Sequence, residues 1–110
     1  MLKMDLEYNQ GILFVRLKGI LDKEFSYKIN NYLNPVINRH KIKYLVYNFY
    51  SLIDIDQSGI KAISNTEEEI ESNEGTICLC EVNKNIKDKL KNLNIRIISN
   101  ERSAFNEIEV

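Results

Sequence analysis

The stretch that decides the fold is YLVYNF at residues 44–49, a short apolar run rich in strand-forming residues. A strand covered on both faces has this composition, and central strands of parallel sheets are usually covered in this way. Residues 50–57 then predict a polar connection, and residues 58–72 predict an amphipathic helix with Ile60, Ile63 and Ile70 on its buried face. We therefore expect the core to form around this strand and helix.

Before the central strand, the sequence predicts an antiparallel hairpin. Its strands are Asp5–Tyr8 and Ile12–Leu17, joined at residues 9–11, where Gly11 can adopt the positive φ of a tight turn. Gly19 is expected to end the second strand.

A first helix is predicted from a cap at Asp22 to about Arg39. Pro35 should kink it, because the proline ring removes a backbone donor and clashes with the preceding turn. Apolar residues recur along this segment at helical spacing, namely Phe25, Ile29, Leu33, Val36 and Ile37.

The rest of the chain continues to alternate strands and helices. Thr76–Val82 and Ile95–Ile98 predict two strands with a helix between them, and a short helix capped near Asn100 or Ser103 follows. The order β-β-α-β-α-β-α-β-α predicts a single α/β domain over residues 1–110, with a mixed sheet that begins in the antiparallel hairpin. Partners of such folds usually meet the carboxyl ends of the strands, which directs attention to the loop after Phe49.

The composition indicates a globular chain without general affinity for nucleic acid or membranes. Apolar residues make up 44% and charged residues 28% of the 110 residues, and the formal net charge is −1, so long-range charge would not attract polyanions. No apolar stretch approaches the roughly 20 residues that span a bilayer, and no secretory signal is evident. We expect a cytoplasmic protein that binds neither nucleic acid nor membrane.

Three other groups of residues are explained more simply by structure than by chemistry. Cys78 and Cys80, the only cysteines, point the same way from one strand, which disfavours a disulfide and favours core packing. Asp54 and Asp56 make a poor metal site without further oxygen ligands. His40 falls at a helix end, where a solvated cation is the plain explanation. No acid, base and nucleophile converge, so we expect no enzyme, no metal and no cofactor.

The strongest functional signal lies in IDIDQSGI at residues 53–60. This segment resembles the loop-helix signature of the STAS family, in which an apolar residue, an Asp, two small or hydroxyl residues, a Gly and an apolar residue follow a central strand. Asp56, Ser58, Gly59 and Ile60 match in place. Residues 19–22, 44–49 and 76–81 extend the resemblance over essentially the whole chain, which makes it similar to the bacterial anti-sigma factor antagonists of that family.

The resemblance implies a binding protein controlled by phosphorylation. In antagonists of this family, the serine before the glycine, here Ser58, is phosphorylated by the anti-sigma factor, which is a serine kinase. The unmodified antagonist binds that kinase and frees the sigma factor, and a separate phosphatase resets the cycle. The chain would then be a monomeric substrate of the kinase.

The residues themselves support this switch but leave an alternative open. A serine at a helix start lies near free backbone N–H groups, and the helix dipole tolerates a phosphate there. Serine is also a preferred N-cap, so Ser58 could be only a cap in a STAS scaffold that never cycles, such as a subunit of a larger signalling or transport assembly.

We assign the partner surface to the first residues of the second helix. Asp56 could orient the acceptor or contact the kinase, or it could be an ordinary turn or capping carboxylate. Gly59 could allow close approach of a partner or a strand, or it could be a small residue at a crowded helix start. Gln57 and Lys61 depart from the family pattern, which often has a hydroxyl residue and a small residue there. Together with Ser58, these four residues form the predicted partner-binding set.

Overall fold

The computed structural model describes residues 1–108, which form a five-stranded sheet with helices on both faces. The sheet order is β1-β2-β3-β4-β5, and every neighbouring pair is parallel except the antiparallel pair of β1 and β2. The strands are β1 (Leu2–Asn9), β2 (Ile12–Leu21), β3 (Tyr44–Ile55), β4 (Thr76–Cys80) and β5 (Arg96–Ile98). The helices are α1 (Asn34–His40), α2 (Gln57–Ser72), α3 (Lys84–Lys89) and α4 (Glu101–Glu107). The predicted element order and mixed sheet are confirmed.

Strand β2 runs further than the sequence indicates. It continues through Gly19 to Leu21, so the prediction that Gly19 ends the strand is wrong. Gly19 has a φ of +108°, and a Cβ at this position would lie 2.0 Å from the carbonyl oxygen of Met1. The glycine therefore allows a close backbone approach inside the strand instead of terminating it.

Strand β3 is also longer than predicted. It continues to Ile55, so the polar connection expected over residues 50–57 is wrong. The register against β2 shifts between Arg16 and Lys18 and again between Gly19 and Ile20. Each shift adds one residue to β3 relative to β2, and the pairing resumes beyond it as far as Ile55.

The predicted first helix begins later than Asp22, and its first part is π-helical. Asp22 Oδ1 accepts hydrogen bonds from the backbone N–H groups of Glu24 at 3.0 Å and Phe25 at 3.2 Å. Asp22 therefore caps a turn and not the start of a continuous helix. A π-helical segment follows over residues 28–33, and the Asn34 N–H donates to the carbonyl of Ile29, five residues earlier. Pro35 then lies in the first turn of α1, where its missing N–H costs little. The helix is thus widened in the turn before Pro35.

An apolar layer on each face of the sheet holds the molecule together. The larger layer lies under α1, α2 and α3, and the smaller layer lies under α4. Cys78 and Cys80 belong to the smaller layer, where both are buried and unpaired, as the sequence predicts. Burial raises the pKa of the Cys80 thiol to about 12, so it packs as a neutral apolar group. Within residues 1–108, no helix is long and apolar enough to cross a membrane.

A buried polar network joins three elements inside the larger layer. The Tyr47 hydroxyl lies 2.6 Å from Thr66 Oγ1, and the Thr66 hydroxyl donates to Asn34 Oδ1 at 2.6 Å. Since a threonine hydroxyl carries one proton, Tyr47 must be the donor to Thr66. Burial raises the pKa of Tyr47, which keeps that proton in place. The network fixes α2 against β3 and against the start of α1.

Thr66→Val tests this network. The substitution removes the hydroxyl with little change of shape and leaves the polar atoms of Tyr47 and Asn34 unpaired in the core. We expect the free energy of unfolding to fall by about 1–3 kcal/mol, measured by urea denaturation. Adding Tyr47→Phe should recover part of the loss, because one orphaned group is then removed. Wild-type stability of Thr66→Val would show that the network contributes nothing.

Helix α4 is attached to the sheet by a paired guanidinium and carboxylate. Arg16 donates to both oxygens of Glu101, at 2.8 and 2.7 Å, and Asn48 donates to Oε2 of Glu101 at 2.7 Å. Arg16 also contacts Asp5 at 3.1 Å and Glu7 at 2.9 Å on β1. The bonds from Arg16 lower the pKa of Glu101. One guanidinium thus links α4, β1 and β2.

This attachment makes stability depend on pH. Because the pKa of Glu101 is lowered in the folded state, its contribution is complete above the ordinary value of 4.5 and is lost as the pH falls through the folded-state pKa. We expect Glu101→Gln to lower stability at neutral pH and to flatten the loss of stability in acid, measured by urea midpoints across pH. Glu68→Gln, which changes an exposed carboxylate of α2, is the matched control and should retain the wild-type profile.

Candidate functional site

The predicted motif lies at the carboxyl end of β3, where the chain turns into α2. Asp56 is the N-cap of α2, and its Oδ1 accepts a hydrogen bond from the Gly59 N–H at 2.9 Å. Its Oδ2 accepts from the Lys23 N–H at 2.9 Å, and its own N–H donates to the Leu21 carbonyl at 3.2 Å. One carboxylate therefore caps α2 and also ties it to the segment after β2.

Ser58 occupies the second position of α2, two residues after the cap. Ser58 is therefore not the helix cap, because Asp56 has that position, while the alternative of a STAS scaffold that never cycles stays open. Ser58 is half-buried, and its hydroxyl takes part in none of the side-chain hydrogen bonds found among residues 1–108. The hydroxyl is not used by the fold and is available for chemistry at the helix start.

Gly59 allows α2 to begin directly against the sheet. The residue is buried, and a Cβ there would lie 2.3 Å from the Leu21 carbonyl oxygen and 2.8 Å from Cγ1 of Ile55. The close approach at this glycine is thus to a strand of the same chain. Its contact with a partner stays a prediction.

Gln57 and Lys61 lie on the exposed surface of the same helix start. They are four residues apart, and Lys61 is three residues from Ser58, so both spacings place neighbouring side chains on one helix surface. None of the ion pairs among residues 1–108 includes Lys61. The structure brings these residues together with Asp56 at the helix start, where Lys61 is exposed to solvent.

A groove of about 530 Å³ runs beside the motif towards α3. Asp56 and Gln57 line one side, and Lys89 lines the other, where it pairs with Asp54. The hydrogen bond from Lys89 lowers the pKa of Asp54. Sequence analysis missed the α3 side of this groove. The carboxyl ends of neighbouring parallel strands meet at one edge of a sheet, so the segment after β4 could have been expected beside the motif. Within the described chain, no cluster of three or more His, Cys, Asp or Glu residues could hold a metal ion.

Exposed apolar side chains lie on the last part of β3, up to the first residue of the motif segment 53–60. Tyr50 is 78% exposed and Ile53 is 69% exposed, both on the part of β3 that sequence analysis assigned to a polar connection. Large apolar side chains close to a charged and polar site are typical of protein interaction surfaces. Ile53 therefore extends the candidate surface back along β3.

Substitutions at Asp56 separate its two contacts. Asp56→Ala removes the acceptors for both Gly59 and Lys23, and we expect a loss of about 1–3 kcal/mol in the free energy of unfolding. Asp56→Asn keeps an oxygen for Gly59 but turns an amide donor towards the Lys23 N–H, so its loss should be smaller. Urea denaturation measures both. The reverse order of stability would show that the cap is not the main contribution of this carboxylate.

Comparison with known proteins places the chain in a family. A model of the STAS domain matches residues 3–106. The anti-sigma F factor antagonist of Paenibacillus polymyxa is 28% identical over 113 residues, which span 99% of this chain and 97% of that protein. The Bacillus cell fate determinant SpoIIAA in its phosphorylated form is similar with a TM-score of 0.79 at 19% identity, over 96% of this chain and 98% of that one. An anti-sigma factor antagonist from Mycobacterium paratuberculosis is similar with a TM-score of 0.82 at 13% identity, over 98% of this chain and 94% of that one. The structural likenesses show the fold, and the family match over nearly the whole chain shows that it belongs to the STAS domain family.

Proposed function

We propose that this protein is an anti-sigma factor antagonist that binds a serine-kinase anti-sigma factor and releases its sigma factor. The observation that carries the proposal is the unused hydroxyl of Ser58 in the first turn of α2, where Asp56 already caps the helix. The relative named as an anti-sigma F factor antagonist, which matches along nearly its full length, supports the same role. That role is one of binding and not of catalysis.

The unmodified protein docks through the start of α2. Gln57 and Lys61 are exposed there, and the exposed Ile53 lies four residues before Gln57 on β3. Protein interfaces commonly combine an apolar centre with a polar rim, and this surface offers both. Lys61 favours a carboxylate on the partner, since its ammonium carries no ion pair within residues 1–108.

Phosphorylation of Ser58 by the kinase, with ATP as donor, releases the partner. A phosphate adds roughly −1.5 to −2 charges at neutral pH, here beside the carboxylate of Asp56. The start of a helix tolerates this charge, and Lys61, three residues further on, lies within reach of it. Because the cap is made by Asp56 and not by Ser58, the fold of α2 does not depend on the modified hydroxyl. The switch therefore acts on docking, and a phosphatase restores it.

The proposal is tested by mass spectrometry after incubation with ATP and a cognate anti-sigma factor kinase. We expect one phosphate, on Ser58, which is absent in Ser58→Ala. Ser58→Asp should weaken binding to the kinase by about tenfold or more, measured by calorimetry. Ser72→Asp, which places the same charge at the exposed far end of α2, is the matched control and should bind normally.

Two results would contradict the switch. One is the absence of phosphate on Ser58 under conditions in which the kinase is active. The other is equal affinity of the kinase for the modified and unmodified protein. Binding without modification would instead describe a STAS scaffold that does not cycle.

A further inference from the structure

Strand β1 leaves one edge of the sheet open. It pairs only with β2, across a two-residue turn at Gln10 and Gly11. Such a turn makes Asn9 and Ile12 a hydrogen-bonded pair, so the odd-numbered residues of β1 direct their N–H and C=O groups towards β2. The bond from the Ile20 N–H to the Met1 carbonyl, at 3.0 Å, agrees with this parity. The even-numbered residues therefore direct their backbone groups outwards.

Among the outward backbone groups of β1, only the Leu2 carbonyl has a hydrogen-bond partner within residues 1–108. Lys28 Nζ donates to the Leu2 carbonyl at 2.5 Å. No backbone group of residues 1–108 pairs with the outward groups of Met4, Leu6 and Tyr8. An open edge of this length is a template for another strand.

The side chains of β1 separate into two kinds. Leu2, Met4, Leu6 and Tyr8 form an apolar row on one face, in which Leu6 is 44% exposed and Tyr8 is 62% exposed. Lys3, Asp5 and Glu7 form a charged row on the other face. A partner strand must therefore be apolar on one face and charged on the other.

We propose that β1 pairs antiparallel with β1 of a second copy of this chain, so that two five-stranded sheets join across a two-fold axis. Centred on Asp5, this pairing places Met4 opposite Leu6 of the second copy, with their outward backbone groups in hydrogen-bonding positions. The apolar rows then meet each other on one face. An isologous contact of this kind closes on itself.

Charge selects this register. In the register centred on Asp5, Lys3 lies opposite Glu7 of the second copy, and the two-fold axis repeats that attraction. A shift of two residues towards the turn would lose both Lys3–Glu7 attractions and would place Asp5 opposite Glu7 twice. The opposite shift would leave Tyr8 without a partner residue. The two Asp5 carboxylates that meet at the axis are each compensated by Arg16 at 3.1 Å.

A second copy is favoured over an unrelated strand because both faces of β1 match in the antiparallel pair. The apolar row meets the apolar row, and Lys3 of each copy meets Glu7 of the other. The pairing also leaves the start of α2 accessible, since Ser58 follows the central strand β3 and β1 lies at the sheet edge. The inference therefore does not depend on the proposed function. It replaces the expectation of a monomer with a dimer.

Sedimentation equilibrium of the full chain tests the proposal. We expect a concentration-dependent species of twice the 12.9 kDa chain mass. Leu6→Pro should abolish it, because proline removes an outward N–H that the monomer does not use. Leu6→Ala keeps that N–H and is the matched control, which should dimerise at least partly. Thermal unfolding of both variants checks that the monomer fold is retained.

A charge-reversal pair tests the register and does not depend on the proline variant. Lys3→Glu and Glu7→Lys should each weaken self-association about tenfold, because each places like charges opposite one another twice. Mixed in equal amounts, the two variants should form a heterodimer in which every such pair is attractive again. A wild-type chain that stays monomeric at several hundred micromolar overturns the proposal. So does a dimer that is insensitive to all these substitutions.

Discussion

The start of α2 lies directly against the end of β2, and the candidate site depends on this close approach. Gly59 permits it, because a Cβ would lie 2.3 Å from the Leu21 carbonyl oxygen. Asp56 secures it, because one carboxylate accepts from the N–H groups of both Gly59 and Lys23. Deep inside the protein, the network of Tyr47 and Thr66 fixes the middle of the same helix to β3. The start of α2 is therefore held in place by contacts to β2, to the segment after it and to β3.

This arrangement separates the residue that builds the helix from the residue proposed to be modified. Capping hydrogen bonds contribute about 1 kcal/mol each, and here they belong to Asp56. A charge at the helix start changes helix stability by typically 0.3–1 kcal/mol, and at this end the sign is favourable for a phosphate. Like charges brought together across an interface cost several kcal/mol. The larger effect of the proposed modification at Ser58 would thus fall on binding and leave the fold intact.

The sequence predicts the order of elements and the second helix because their apolar patterns are strong and local. The sequence does not predict where β2 and β3 end. A glycine such as Gly19 usually indicates the end of a strand, and only the structure shows that it is needed for the close approach of the Met1 carbonyl. It also cannot choose the cap of α2, because Asp and Ser are both good caps, and the choice rests on the Lys23 N–H, 33 residues away. Lys89 on the far side of the groove is brought to Asp54 only by the sheet order. In each case the missing information is a contact between distant residues.

Strand β2 connects the two surfaces that are proposed to contact partners. At its carboxyl end, the Leu21 carbonyl receives the N–H of Asp56 and sets the position of α2. In its middle, Arg16 binds Glu101 of α4 and also compensates Asp5 and Glu7 on the open edge. These contacts lie on different residues and different faces, so a charge added at Ser58 has no direct partner at the edge. Docking at α2 and pairing at β1 can therefore be independent events on one rigid sheet.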